Sequence, residues 1–347
     1  MRSTLTFVSV AVLVIIAPFP AAAGTLVVAN KSEATVSLVD TASGEIRVTL
    51  PTGNAPHEVD VSPDGKRALI GNYGTREKPG SSLTLIDIPA AEVVKTIELQ
   101  GYSRPHGIVW LDDRRAAVTV EAEKALVVVD TESGEVVQEI GTNADVSHMV
   151  AVARRGSHAF IANIGSGSVT AIDLAIGKKV AEIPTGEGAE GIAVTPDGRQ
   201  VWVTNRAADT VSVIGVSSMA QVATIEAGSF PIRAETTADG EFVLVTNAKG
   251  NDLSVFSTTK FEEVHRVSFD AVSKGADGRL FSDRFGTSSV PIGIQIVDPE
   301  RRAYIAHANA DDISIVDLET WQVVGTLSAG REPDGMGWSP VEVNREK

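Results

Sequence analysis

The stretch EGIAVTPDGRQVWVTNRAADTVSVIGVSSMAQVATIEAG, Glu190 to Gly228, decides the fold. It contains four short segments, GIAV, VWVTN, DTVSVIG and QVATIEAG, each alternating or apolar in the manner of a half-buried or buried strand. Pro196-Asp197-Gly198 between the first two is turn chemistry: proline pre-sets φ, and glycine accepts the left-handed conformation.

The same phrase recurs along the chain. PHEVDVSPDG (56–65), PHGIVWLDDR (105–114), SHMVAVARRG (147–156), AEGIAVTPDG (189–198), PIRAETTADG (231–240), PIGIQIVDPE (291–300) and PDGMGWSP (333–340) align on their second residues, 57, 106, 148, 190, 232, 292 and 334. The steps are 49, 42, 42, 42, 60 and 42 residues. A second column, Asn30, Asn72, Glu121, Asn163, Asn205, Asn247 and His307, shows the same period with the same two insertions. Four strands at a period near 40 residues are the signature of β-propeller blades. The expected fold is an all-β, seven-bladed β-propeller with four-stranded blades filling residues 24–347 as one domain. PDGMGWSP supplies only a first strand and TLVVAN begins with a second. The ring is therefore expected to close by pairing the N-terminal strands with the C-terminal strand, which removes an open sheet edge.

VWVTN, VLVTN, VTPDG and VSPDG, together with this closing pattern, are similar to the YVTN-repeat seven-bladed propellers, the exported bacterial YncE-like family. The likeness covers essentially the whole chain after residue 23. It implies a fold and an exported location and leaves activity open, because propellers of that superfamily include reductase domains, lactonases, lyases and plain binding scaffolds.

Residues 1–23 read as a secretory signal peptide, with Arg2, the apolar FVSVAVLVIIAPF and Ala21-Ala22-Ala23 before the cleavage point. Its apolar run is short of the roughly 18 to 20 residues a membrane span needs. Its removal takes the formal charge from −15 to −16. Such acidity argues against nucleic acid and anionic lipid as partners. There is no cysteine, so neither disulfides nor thiolate metal sites enter. The expected location is exported, periplasmic or extracellular, with no membrane span left after cleavage.

In a propeller the residues that open each first strand ring one mouth of the central channel. Here they are Asp334, His57, His106, His148, Glu190, Ile232 and Ile292. Five consecutive blades thus present a group able to hold a metal or a proton, and three of the six histidines share this column. Imidazoles with a carboxylate suit copper, zinc or iron and leave room for a ligand. The expected metal site is His57, His106 and His148 with Glu190 or Asp334. Duplication of one solvated histidine is the plain alternative, and a metal-free mouth holding a small polar or anionic ligand is another. Asn72, Asn163 and Glu121 are candidate partners for the imidazoles.

The two insertions, in loops 72–82 and 268–290, fall on that same face and mark it as the place for a small ligand or protein partner. The second contains Arg279, Phe281, Arg284 and Phe285. Arg233 stands where several blades have glycine and suits a carboxylate. Trp110 and Trp338 read as packing between blades, His158 and His265 as surface, and His307 as a more outer group. No GxSxG, HExxH, Walker or dinucleotide pattern is present. Three functions therefore compete: metal or metal-bearing-ligand binding at the mouth, a metal-assisted lactonase or lyase, and an interaction scaffold without site chemistry. The signal reading makes one immediate prediction. Intact-mass measurement of protein recovered from the expressing cell's exported fraction should give a chain starting at Gly24, and a mass retaining residues 1–23 overturns it.

Overall fold

The computed structural model describes residues 24–153, 157–275, 279 and 284–344. The proposed signal segment and Phe281 lie outside them. The described strands form seven four-stranded antiparallel sheets, the blades. Their first strands are Pro56–Val61, Pro105–Trp110, Ser147–Val152, Ala189–Val194, Pro231–Thr236, Pro291–Val297 and Pro333–Ser339, numbered here as blades 1 to 7. Each first strand contacts the next, and the seventh contacts the first, so they circle a central channel.

Blade 7 is built from both ends of the chain. Pro333–Ser339 pairs antiparallel with Thr25–Asn30, joining Trp338 to Leu26 and Met336 to Val28. Thr35–Asp40 and Ile46–Pro51 complete that sheet.

Packing between blades supplies the core. Leu69, Leu83 and Leu85 of blade 1 form one buried cluster with Ile108, Trp110 and Val118 of blade 2. Leu244 and Val255 of blade 5 meet Ile296 and Ile305 of blade 6 in the same way. Each middle strand is buried on both faces, as in VWVTN, whose Val201, Trp202 and Val203 are all fully covered. A lone blade would leave two apolar faces wet, so stability is a property of the stack.

Two local devices set the mouth. The residue before each first strand has positive φ: Ala55, Arg104, Val146, Phe230, Val290 and Glu332 between 48° and 60°, and Gly188 at 77°. For β-branched Val146 and Val290 this is a strained conformation, the kind that persists only where surrounding structure enforces it. The enforcing contact is regular. The carbonyl of each left-handed residue accepts the amide at the exit of the second strand, as in Arg206 N–H to Gly188 O at 3.0 Å and Ala248 N–H to Phe230 O at 2.9 Å.

The asparagine column explains itself as the second device. Asn205 Nδ2 donates to Thr210 Oγ1 at 3.0 Å and Ser212 Oγ at 2.9 Å, while its Oδ1 accepts Gly186 N–H at 3.0 Å. Asn30 does the same with Thr35, Ser37 and Gly330. The asparagines therefore staple two strands to the incoming link and do not face the histidines.

The first strands approach so closely that the residue after the mouth position is usually glycine. A Cβ on Gly293 would lie 2.1 Å from the Asp334 carbonyl oxygen, and one on Gly191 would lie 2.5 Å from the Ile232 carbonyl oxygen. Backbone cannot yield cheaply there. Gly293→Ala should therefore cost roughly 1–3 kcal/mol in urea unfolding, the usual range for overpacking, and an unchanged midpoint would refute the close approach.

Candidate functional site

Three imidazoles meet at the channel mouth. The ring centroids of His57 and His106 are 4.2 Å apart, those of His106 and His148 3.4 Å, and those of His57 and His148 6.3 Å. His106 is the middle ring, and it is wholly buried, with His57 and His148 each 7% exposed.

Each flanking ring has carboxylate neighbours. His57 Nδ1 lies 2.8 Å from Asp334 Oδ2 and 3.7 Å from Glu58 Oε1. His148 Nδ1 is hydrogen-bonded to Glu121 Oε1, and its Nε2 lies 3.4 Å from Glu190 Oε1. His57 Nδ1 and His148 Nε2 thus face carboxylates, whereas both nitrogens of His106 are buried without a hydrogen-bond partner. An unsatisfied buried polar atom costs about 1–3 kcal/mol. Two of them on the middle ring of the cluster form an arrangement that an added ligand would relieve.

Cations neutralise the acids from behind. Lys31 Nζ is 2.9 Å from Asp334 Oδ2, and Arg206 Nη1 is 2.5 Å from Glu190 Oε2. Arg233 pairs with Glu58 and stands 3.5 Å from Glu190 Oε1. Since Glu58 belongs to blade 1 and Arg233 to blade 5, that pair spans the channel.

The proton affinities follow from these neighbours. Burial pushes the Glu190 carboxyl up, but His148, Arg206 and Arg233 together hold it at about 2. For Asp334, burial is likewise outweighed, by His57 and Lys31, and its carboxyl sits well below the usual range. Burial depresses His57 against the pull of Asp334, and depresses His106 strongly, with the neighbouring imidazoles adding to it. Burial also works against the charged form of His148, yet Glu121 and Glu190 raise it above the ordinary histidine value. His57 and His106 are thus neutral lone-pair donors near neutral pH, the form a metal requires.

All five residues expected at the mouth, His57, His106, His148, Glu190 and Asp334, are there. The sets whose ligand atoms lie within 4.8 Å of one another are His57–Glu58–His106 and His106–Glu121–His148. Glu190 and Asp334 stand outside those sets, tied to guanidinium and ammonium groups. Glu58 escaped the sequence reading although its signal was there: like Arg233, it occupies a column that is glycine in four blades, at Gly107, Gly191, Gly293 and Gly335.

The second column needs a correction in blade 2. Pro105 pairs with Val120, as Pro56 pairs with Asn72 and Ala189 with Asn205, so Val120 and not Glu121 is the counterpart of the asparagines. The first hairpin of blade 2 is one residue shorter, which carries Glu121 to the exit position. That exit column is Lys31, Tyr73, Glu121, Ile164, Arg206, Ala248 and Ala308, each tied by its amide to a left-handed residue. It supplies Lys31 to Asp334, Arg206 to Glu190 and Glu121 to His148. Tyr73, from the first insertion, donates its hydroxyl to Glu121 Oε2 at 2.6 Å and sets its ring edge-on to both His57 and His106 at 5.4 Å.

The isoleucine side of the mouth is covered. Phe285 of the second insertion packs with Ile232, Ile292, Val290 and Ala308, and meets Phe230 edge-on at 5.0 Å. Arg279 is held by Asp311 and the Ala308 carbonyl. His265 stacks on Trp321 at the exterior, and His158 lies by Ser157, away from the mouth. His307 takes the asparagine's place as a staple, between Ser289 Oγ at 2.7 Å and Ser314 Oγ at 2.8 Å.

Fold and site together define a seven-bladed β-propeller with a buried imidazole–carboxylate cluster at its channel mouth. The chain belongs to the cytochrome D1 heme domain family, whose model matches residues 111–336. The match includes His148, Glu190 and Asp334 and begins after His57 and His106. Among solved structures, a functionally unknown protein from Desulfotomaculum acetoxidans DSM 771 superposes with a TM-score of 0.74 at 15% identity, over 92% of this chain and 99% of that one. Hydrazine synthase of Kuenenia stuttgartiensis gives 0.63 at 19% identity, over 76% of this chain and 77% of that one. Comparison with curated proteins finds no match. These likenesses bear out the seven-bladed ring in the YVTN resemblance and establish fold alone.

The family name raises haem, and the residues can be tested for it. A macrocycle seated on one imidazole needs an open slot over that nitrogen. Here His106 is packed between the other two rings, all three are buried, and Tyr73 stands against two of them. The cluster as it stands does not fit a haem; its clustered nitrogen and oxygen donors fit a bare ion.

His307 yields a pH prediction separate from the cluster. Burial pushes its imidazole down to about 3, whereas an unfolded chain takes up that proton near pH 6.5. Between those values the unfolded state binds more protons, so this stabilisation is complete above about pH 6.5 and is lost as pH falls toward 3. His307→Asn, which restores the column's usual residue, should flatten the stability–pH slope there by up to roughly 1.4 kcal/mol per unit, as read by denaturant melts. Parallel slopes would contradict it.

Proposed function

We propose that this protein binds a transition-metal ion, copper, zinc or iron, at the channel mouth through His57, His106 and His148. The observation that carries the reading is His106: fully buried, central, and without a hydrogen-bond partner on either nitrogen. Neutral imidazoles with carboxylates suit these metals. Glu58 and Glu121 are the acids close enough to complete the donor set. Glu190 and Asp334 then act one step out, fixing the rings of His148 and His57, as carboxylates commonly do for ligating histidines. Tyr73 steadies Glu121 in turn.

The reading makes the molecule an exported binding propeller of the YVTN-repeat kind. The N-terminal signal pattern and the repeat phrases support that location and that kinship. The mouth is also the natural face for a small ligand or protein partner. Of its two long loops, one puts Tyr73 against the imidazoles and the other closes the apolar side with Phe285, while Arg76, Glu77 and Lys78 remain exposed at the tip of the first. A metal held there also offers Lewis-acid chemistry to a bound carbonyl compound, the metal-assisted lactonase or lyase reading.

Chelator-stripped protein should take up zinc or copper and melt at a higher temperature when loaded. Saturation at 100 times Kd is worth about 2.7 kcal/mol. His106→Ala should weaken uptake at least tenfold while circular dichroism keeps its sheet signature. Protein that is metal-free as isolated and that takes up neither ion ends the proposal.

A further inference from the structure

The geometry points to a two-ion centre at the mouth, with the His106 imidazole as the ligand both ions share. This rests on the reading that the mouth binds metal and goes beyond it in number and arrangement.

No compact set of donor atoms among the described residues contains both His57 and His148. His57 and His148 have centroids 6.3 Å apart, and the His106 ring lies between them, 4.2 Å from one and 3.4 Å from the other. An ion must sit about 2.0–2.1 Å from each ligating nitrogen, so a position between His57 and His148 is already filled by the His106 ring. The donors instead divide into two sets, His57–Glu58–His106 and His106–Glu121–His148, each compact to 4.8 Å and sharing only His106.

Each set has its own acid, held from outside by a different group. Glu58 is anchored by Arg233, and Glu121 by the Tyr73 hydroxyl. His106 itself is unlike its neighbours in having no carboxylate on either nitrogen, so neither ring nitrogen is engaged.

The proton count is simple. Neutral imidazole has one N–H and one lone pair, so the first divalent ion takes the lone pair. The second binds the other nitrogen only after its proton leaves to buffer, so filling both positions releases one proton from His106 and turns it into a bridging imidazolate. No electron moves.

Copper(II) tests the arrangement. Metal-free full-length protein should bind two copper ions per chain by elemental analysis after gel filtration. Its paramagnetic resonance at two equivalents should integrate to clearly less than twice the one-equivalent signal, because a shared ring couples the spins. His57→Asn and His148→Asn should each leave one copper with an uncoupled signal. His106→Ala should weaken both positions at least tenfold. Saturation at one copper in the unaltered protein overturns the two-ion centre and leaves the metal-binding reading standing. No uptake at all overturns both. Two copper ions with an uncoupled signal that survives His106→Ala refute the bridge. The unaltered protein alone decides the count, so a variant that fails to fold does not blunt the test.

Discussion

Close approach of the seven first strands around the channel is the constraint on which the rest of the molecule depends. At Gly191, Gly293 and Gly335 the neighbouring backbone stands nearer than a Cβ tolerates. That spacing lets seven sheets cover one another's faces, and it brings seven mouth residues to a single rim. The left-handed residue before each strand fixes the turn by which they arrive, through one repeated amide–carbonyl bond to the exit of the second strand. Stability and site therefore share one device. Where blades 1 and 5 depart from glycine, Glu58 and Arg233 use the opening to reach each other across the channel.

The charges at the mouth are arranged for orientation more than for stability. Glu58, Glu190, Asp334, Lys31 and Arg233 are all buried, and buried ion pairs gain little over apolar packing because desolvation offsets attraction. Removing one member strands the other, which is the costly event. What the network does achieve is to pin the flanking imidazoles through their carboxylates while His106 is left with neither nitrogen paired. The depressed proton affinity of His106, caused by burial and by the two rings beside it, keeps it a donor of lone pairs.

The fold was legible because a propeller writes itself repeatedly. Seven copies of a turn phrase and an asparagine column at a common spacing leave little freedom, and the half-blades at the two ends imply their own pairing. The candidate site was legible to the depth of one column. His57, His106 and His148 stood out because they share one repeating position, and Arg233 because it departs from the glycine of its own. Glu58 sits in Arg233's column and was readable on the same logic. The exit column was hidden by a single missing residue in the first hairpin of blade 2, which put Glu121 in apparent register with the asparagines when Val120 is their partner in the sheet.

By itself the sequence determined the architecture, the number of blades, the closure of the ring and the identity of the five mouth residues, because strand period and turn chemistry are local and repeat. Only the tertiary structure decided which acids stand beside which imidazoles. Those pairings join residues from different blades, such as Glu121 with His148 and Glu58 with Arg233, through backbone approaches that no local pattern encodes. It also decided that His307 is a staple between two serines and that Phe285 covers the isoleucines. Contacts of that kind depend on where a long insertion comes to rest, and that is set by the packing of the whole ring.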